Sequence, residues 1–300
     1  MKWSDALTDY MHYLRIERGL AENSIASYRR DLEKLITFLE TKEIHTKPEK
    51  ISSENLQHFI YDASDHLSAN SRARVLSGLR GFFGYLIFEG YREDDPTSLL
   101  ESPKTGRKLP QVLAEEEIDK MIAAIDLSTP EGERNRAMIE TLYSCGLRVS
   151  ELTGLRFSDL FFEEGFIRVS GKGSKQRFVP ITRVAQKYIN TYSYEVRVHL
   201  NIAKGHEDYV FLNRRGRQLT RAMIFTIVRN LAEKAGVKKK ISPHTLRHSF
   251  ATHLLTGGAD LRAIQQMMGH ENITTTEVYV HLNRSDLARS IMNFHPRKDG

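Results

Sequence analysis

The nine residues Ser102-Pro103-Lys104-Thr105-Gly106-Arg107-Lys108-Leu109-Pro110 constrain the fold of this chain more than any other stretch. Two prolines and a glycine in so short a span stop a helix and remove strand donors, so the segment reads as a linker. A chain of 300 residues is long enough for two cores. The expected organisation is a first domain over 1–101, a basic linker over 102–112 and a second domain over 113–300. Three of the nine linker residues are cationic, which would let the two domains close around a duplex. An ordinary tether has the same composition.

The first domain carries helical periodicity throughout. Trp3, Leu7, Tyr10, Met11 and Leu14 predict a helix from Ser4 to about Arg18, with Ser4 as N-cap and Gly19 as its end. A second helix, about Asn23 to Thr41, has Ile25, Tyr28, Leu32, Leu35, Ile36 and Leu39 as its stripe. A third runs from Ser53 to about Ala63 and buries Leu56, Phe59 and Ile60. A fourth, about Ala69 to Glu89, carries Val75, Leu79, Phe82, Phe83 and Leu86. This half reads as a helical bundle. Arg29, Arg30, Arg72, Arg74 and Arg80 fall off the apolar stripes. With Ser24, Ser27, Asn70 and Ser71 they are candidate contacts to DNA phosphates, and a solvated helix face is the ordinary alternative.

The second domain is mixed. Helices are expected from Ala114 to Ile125 and from Pro130 to Cys145, the latter ending at Gly146. Arg148 then opens a short helix with Glu151 one turn later to orient it, an arrangement that suits a phosphate ligand and equally a surface ion pair. Phe166–Val169 and Arg177–Ile181 read as strands of a hairpin whose tip, around Gly171-Lys172-Gly173, is cationic. The tip lacks the GxxxxGK[ST] spacing of a nucleotide loop. A helix from about Arg183 to Asn201, a strand-like run Tyr209–Leu212 and a helix capped by Thr220 and reaching Ala235 follow. Pro243 starts a helix through Leu255, Asp260 to Met268 forms another, and Asn283 to Phe294 is a final amphipathic helix with Leu287, Ile291 and Phe294 on one stripe. The fold class is therefore mainly α, with a small β-sheet in an α+β second domain.

Composition narrows the partner. Forty-four Lys+Arg against 38 Asp+Glu give a net charge of +6 and a pI near 9.2, which suits a polyanion. No apolar run is long enough to span a membrane, and no apolar signal region follows Met1. The lone Cys145 rules out an internal disulfide framework and fits a reducing cytoplasm.

The chemistry concentrates after Ser242. His244 and Arg247 are spaced i, i+3 at a helix start, and His270 and Tyr279 follow. An arginine grips two oxygens of a phosphate, histidines donate hydrogen bonds to it, and a tyrosine hydroxyl attacks phosphorus. The set reads as a phosphodiester-cleaving site with a covalent tyrosyl intermediate. A zinc hydrolase is the rival chemistry, because His244 and His248 are spaced i, i+4. That motif needs a Glu after the first His, where Thr245 stands. His248 and His253 are better read as hydrogen-bonded helix residues.

Taken in order, Cys145-Gly-Leu-Arg148-Val-Ser-Glu151-Leu, Gly171-Lys172-Gly173, His244-Thr-Leu-Arg247-His248-Ser-Phe-Ala-Thr-His253, Leu261-x-x-Ile264-Gln265, Gly269-His270 and Tyr279 resemble the tyrosine recombinase family, and within it the compact Xer-type site-specific recombinases. Val280 departs from the Thr more often found after the nucleophile. The resemblance covers nearly the whole chain. It implies a helical DNA-binding domain and a catalytic domain whose last helix is exchanged between protomers. It further implies Tyr279 as nucleophile, Arg148 and Arg247 on the non-bridging oxygens, Lys172 as general acid, and His244 and His270 completing the phosphate cradle. Neither cofactor nor metal is implied. The implied partners are a double-stranded DNA recombination site, a homo- or hetero-tetramer with a related recombinase, and a septal DNA translocase. The implied role is chromosome dimer resolution. Other readings are the integrase of a mobile element, a relaxing topoisomerase-like enzyme and a non-catalytic DNA-binding relative.

Overall fold

A computed structural model describes residues 1–103, 111–171, 176–269 and 284–298. The chain divides into two compact units, Met1–Lys108 and Leu109–Gly300. Among the described residues, no helix is long and apolar enough to cross a membrane.

The first unit packs α1 (Trp3–Ile16), α2 (Glu22–Thr41), α3 (Ser53–Asp62) and α4 (Ala69–Phe88). Its core is the set the periodicity picks out: Tyr10, Leu14, Leu32, Leu35, Leu56, Phe59, Val75, Leu79, Phe82 and Leu86 are all buried. Ile36 is not among the core residues, which instead include Phe38, on the other flank of the stripe. Of the three glycines in α4, otherwise costly in a helix interior, Gly81 is explained by a neighbour. A Cβ on Gly81 would stand 2.7 Å from the Tyr10 hydroxyl, and one on Gly78 would touch Asp31 at 3.4 Å. The predicted Ser4 cap is corrected: α1 starts one residue before Ser4, after Lys2, and the Ser4 hydroxyl donates to Asp5 instead. Ser52 and Ser68 do cap α3 and α4, accepting from the Asn55 and Ser71 amides.

In the second unit, α5 (Glu115–Ala123) and α6 (Pro130–Cys145) precede the short α7 (Val149–Thr153). Almost every residue from Ala137 to Cys145 is buried, so α6 is a central helix with no solvent face over its second half. A three-stranded antiparallel sheet follows in the order β1 (Leu160–Phe161), β2 (Phe166–Ser170), β3 (Gln176–Pro180), with Ile167 opposite Val179 and Ser170 opposite Gln176. The predicted hairpin is present. β1, a two-residue strand with no alternation to read, was not expected.

The single helix expected over Arg183 to Asn201 is broken. α8 (Arg183–Thr191) gives way to a wide π turn over Tyr192–Val196 and a tighter 3-10 turn over Arg197–His199. Tertiary bonds account for the break: Arg197 donates to the Tyr209 and Glu207 carbonyls and stacks on Phe157, while the Tyr192 hydroxyl accepts from the Leu212 amide. Tyr209–Leu212 forms only isolated bridges, Arg156 to Tyr209 and Leu212 to Gln218. Then come α9 (Arg221–Lys234), α10 (Pro243–Gly257), α11 (Leu261–Met268) and α12 (Arg284–Phe294). In this single chain the apolar stripe of α12 packs on its own unit: Leu287 and Ile291 are buried in the same core as α10 and α11.

Candidate active site

The site begins at the end of α6. Gly146 takes φ 58°, a left-handed turn that favours glycine, and a Cβ there would lie 2.3 Å from the Phe250 ring of α10. The glycine therefore both ends α6 and lets α10 approach closely. Two residues later Arg148 occupies the N-cap of α7, and Glu151 reaches back to accept its amide at 2.8 Å, one half of a capping box.

The Glu151 side chain, only 1% exposed, is the hub of the site. Oε1 accepts from Arg148 Nη1 at 2.9 Å and from Arg177 Nη1 at 2.6 Å. Oε2 accepts from Arg177 Nη2 at 3.0 Å and lies 3.8 Å from Arg247 Nη1. Arg177, on β3, thus grips both carboxylate oxygens in a fork. Burial acts to raise the Glu151 pKa, but the hydrogen bonds and charge of Arg177, with those of Arg148, outweigh it and leave the carboxyl below its ordinary range. For Arg247 burial, then the like charges of Arg148 and Arg177, lower the pKa to about 10, so it stays cationic at neutral pH.

A second set of bonds ties the same three arginines to α11. Arg177 Nε donates to the Met267 carbonyl at 2.8 Å, Arg247 Nη2 to the Met268 carbonyl, and Arg148 Nη2 to the Gly269 carbonyl at 3.0 Å. Three consecutive carbonyls at a helix C-terminus each meet a different guanidinium, where the helix dipole favours positive charge. Arg247 also donates to the Gly146 carbonyl at 2.6 Å.

Among the described residues, three guanidiniums around one carboxylate leave two positive charges in excess. Of the five N–H donors an arginine has, Arg148 and Arg247 each give two to backbone or Glu151 atoms among the described residues. Arg148 is a third exposed and Arg247 sits deeper, its side chain 7% exposed. Such an arrangement suits an anion with several oxygens. His244 stands one turn before Arg247 on α10 and is exposed. Lys172, His270 and Tyr279 lie outside the described residues, as do the linker residues 104–110.

The other histidines are occupied differently. His253 Nδ1 is 2.7 Å from the Tyr143 hydroxyl, and His248 is half-buried on α10. Among the described residues no group of three or more His, Cys, Asp or Glu could hold a metal ion.

The arginines singled out in the first unit divide. Arg29 and Arg30 are exposed on α2, with Arg30 turned back onto the Ala26 carbonyl and Ser27. Arg72 is half-buried beside Tyr61 and Leu99. Arg74 is held by the buried Asp31, and Arg80 by the Leu100 carbonyl at 2.7 Å and Ser102 at 3.3 Å. Arg177 was not among the expected site residues. Its place on a strand gives no sign of which side chain faces α7.

The family comparison decides what this arrangement belongs to. Residues 111–286 match the phage integrase family and residues 7–90 its N-terminal SAM-like domain. The chain belongs to the phage integrase family, whose members include the tyrosine recombinases. It is 40% identical over 295 residues, 98% of this chain and 99% of its relative, to "Tyrosine recombinase XerD" of Listeria innocua. The integrase fold is shared with a XerH site-specific recombinase in a post-cleavage complex with palindromic difH substrate (TM-score 0.70, 24% identity, 92% of this chain and 81% of that one). It is shared too with a lambda integrase tetramer bound to a Holliday junction (TM-score 0.70, 17% identity, 93% and 80%).

Proposed function

We propose that this chain is an Xer-type site-specific recombinase that cleaves and rejoins DNA through a 3′-phosphotyrosyl intermediate and a Holliday junction, in the resolution of chromosome dimers. The observation that carries the reading is the pair Arg148 and Arg247, held on a buried carboxylate with positive charge to spare. A scissile phosphodiester carries one negative charge, and its pentacoordinate transition state gathers more on the non-bridging oxygens. Preorganised guanidiniums stabilise that state without reorganisation.

The Tyr279 hydroxyl attacks phosphorus in line, with His244 helping to take its proton. The phosphorus–5′-oxygen bond breaks as the phosphorus–tyrosine bond forms, and Lys172 supplies the proton to the departing 5′-oxygen. His244 and His270 complete the cradle. The ester is conserved in the phosphotyrosine, so a partner 5′-hydroxyl reverses the attack without ATP. In the first unit Arg29, Arg30 and Arg72 are the better phosphate contacts, while Arg74 and Arg80, already bound to Asp31 and Leu100, serve to brace the bundle. Four protomers, of this chain alone or with a related recombinase, would act on two DNA sites in the cytoplasm, with a septal DNA translocase as a further partner. Exchange of α12 between protomers would require it to leave the intrachain seat it occupies here.

The test uses a suicide DNA substrate, nicked near the cleavage point and drawn from candidate sites in the source replicon. Covalent protein–DNA complex on a denaturing gel, in EDTA, is the readout. Wild type is expected to form it and Tyr279→Phe to lose it entirely. Bound DNA without covalent product would favour a binding-only relative, and metal-dependent cleavage a hydrolase.

A further inference from the structure

We propose that Arg177 is a positioning residue for strand cleavage: it is the counter-ion that neutralises Glu151, leaving the charges of Arg148 and Arg247 free for the scissile phosphate. The inference rests on the phosphate-binding role given to those two arginines above. Arg177 takes the stronger position on the carboxylate. It bonds both oxygens, at 2.6 and 3.0 Å, whereas the Arg148 guanidinium meets one and Arg247 approaches only to 3.8 Å. Its own orientation is fixed by the Met267 carbonyl, and its side chain is 16% exposed, so it is built into the wall.

A carboxylate buried as deeply as Glu151 must be balanced by a cation. With Arg177 present, that cation is one that faces the hub and the α11 backbone. Without it the burden falls on Arg148 and Arg247, the remaining guanidiniums around it, and one of their two charges is cancelled before any DNA arrives. Glu151 is needed to hold Arg148 by amide and side chain. Arg177 lets it do so at no loss of positive charge.

The test separates charge balance from mere bracing. Single-turnover formation of the covalent complex is measured at saturating DNA for wild type, Arg177→Ala, Arg177→Lys, Glu151→Gln and the double variant Arg177→Ala with Glu151→Gln. Thermal unfolding and DNA affinity are recorded for each. Arg177→Ala is expected to slow cleavage by about a hundredfold, the scale of losing one charge-stabilising donor. Removing the carboxylate in the same chain makes the missing counter-ion unnecessary, so the double variant should cleave at least tenfold faster than Arg177→Ala. A double variant no faster than Arg177→Ala would overturn the proposal, since taking away a second brace does not make good the loss of the first. If Arg177→Ala does not fold, Arg177→Lys decides: charge is kept and the fork lost, so cleavage within about tenfold of wild type supports the counter-ion role and a hundredfold loss refutes it. Absence of any Tyr279-dependent complex in the wild type would instead strike the recombinase reading itself.

Discussion

Two buried glutamates in the second unit are each ringed by arginines, and they are set up for different ends. Glu140, fully buried on α6, meets Arg297 through both oxygens at 2.7 and 2.6 Å and has Arg136 3.0 Å away. Arg297 also reaches Asp119 at 2.6 Å. Two cations face two anions there, and the cluster closes electrically. Around Glu151, among the described residues, three cations face one anion. The Glu140 carboxyl is raised above its ordinary pKa because burial outweighs Arg297 and Arg136, whereas Glu151 is lowered because its partners outweigh burial. A balanced cluster stitches the C-terminal tail to α6. An unbalanced one is what the proposed phosphate site requires.

The largest expected effect breaks the unbalanced cluster. Arg247→Ala should lower single-turnover strand cleavage by about a thousandfold, the range of a lost charge-stabilising group. Its thermal midpoint should fall much less, because removing one of three cations relieves repulsion at the same time. A large fall in stability with little change in cleavage would invert the comparison. Next in size, Arg297→Ala should destabilise the protein by about 3 kcal/mol, the low end for breaking a buried pair because Arg136 remains beside Glu140. Urea unfolding checks this, and a loss under about 1 kcal/mol would show the tail cluster to be no stronger than a surface pair.

The smallest effect sharpens the picture of the tail. His295 is 1% exposed among Tyr143, Phe250, His253 and Arg297. Its Nδ1 accepts from the Arg297 amide and its Nε2 contacts the Tyr143 carbonyl at 3.3 Å, so the ring is held neutral. Burial lowers its pKa to about 3. The unfolded chain, with a histidine pKa near 6.5, therefore binds more protons between those values. Stability from this group is intact above about pH 6.5 and falls as pH drops, by about 1.4 kcal/mol at pH 5.5. The difference between wild type and His295→Asn, followed by urea midpoints from pH 7.5 to 5.5, isolates it. Parallel profiles would show that His295 titrates normally.

How much of this was legible in sequence follows from what each signal reports. Arg148 and Glu151, like His244 and Arg247, stand three residues apart at a helix start, where spacing alone fixes a shared face. Arg177 does not, because its partner lies 26 residues away and depends on which face of β3 meets α7. Likewise the off-stripe positions of Arg74 and Arg80 were visible, but not the buried Asp31 or the Leu100 carbonyl that receive them. The helix bundle was readable because burial follows a period of 3.6. The break after Thr191 was not, since bonds from Arg197 and Tyr192 to distant backbone impose it. Ser4 could cap a helix, yet α1 begins at Trp3, whose indole donates to the Thr46 carbonyl.

The run of carbonyls from Met267 to Gly269 has a thermodynamic consequence for DNA binding. A guanidinium in water must shed its hydration shell before it can grip a phosphate. Here much of that shell has already been replaced by the protein's own main-chain dipoles, fixed at the end of α11. Arrival of the phosphate is then closer to an exchange of ligands between neighbouring acceptors than to a dehydration. Because the last of those carbonyls belongs to Gly269, the backbone that meets Arg148 in the absence of the proposed phosphate leads onward in sequence to His270 and Tyr279.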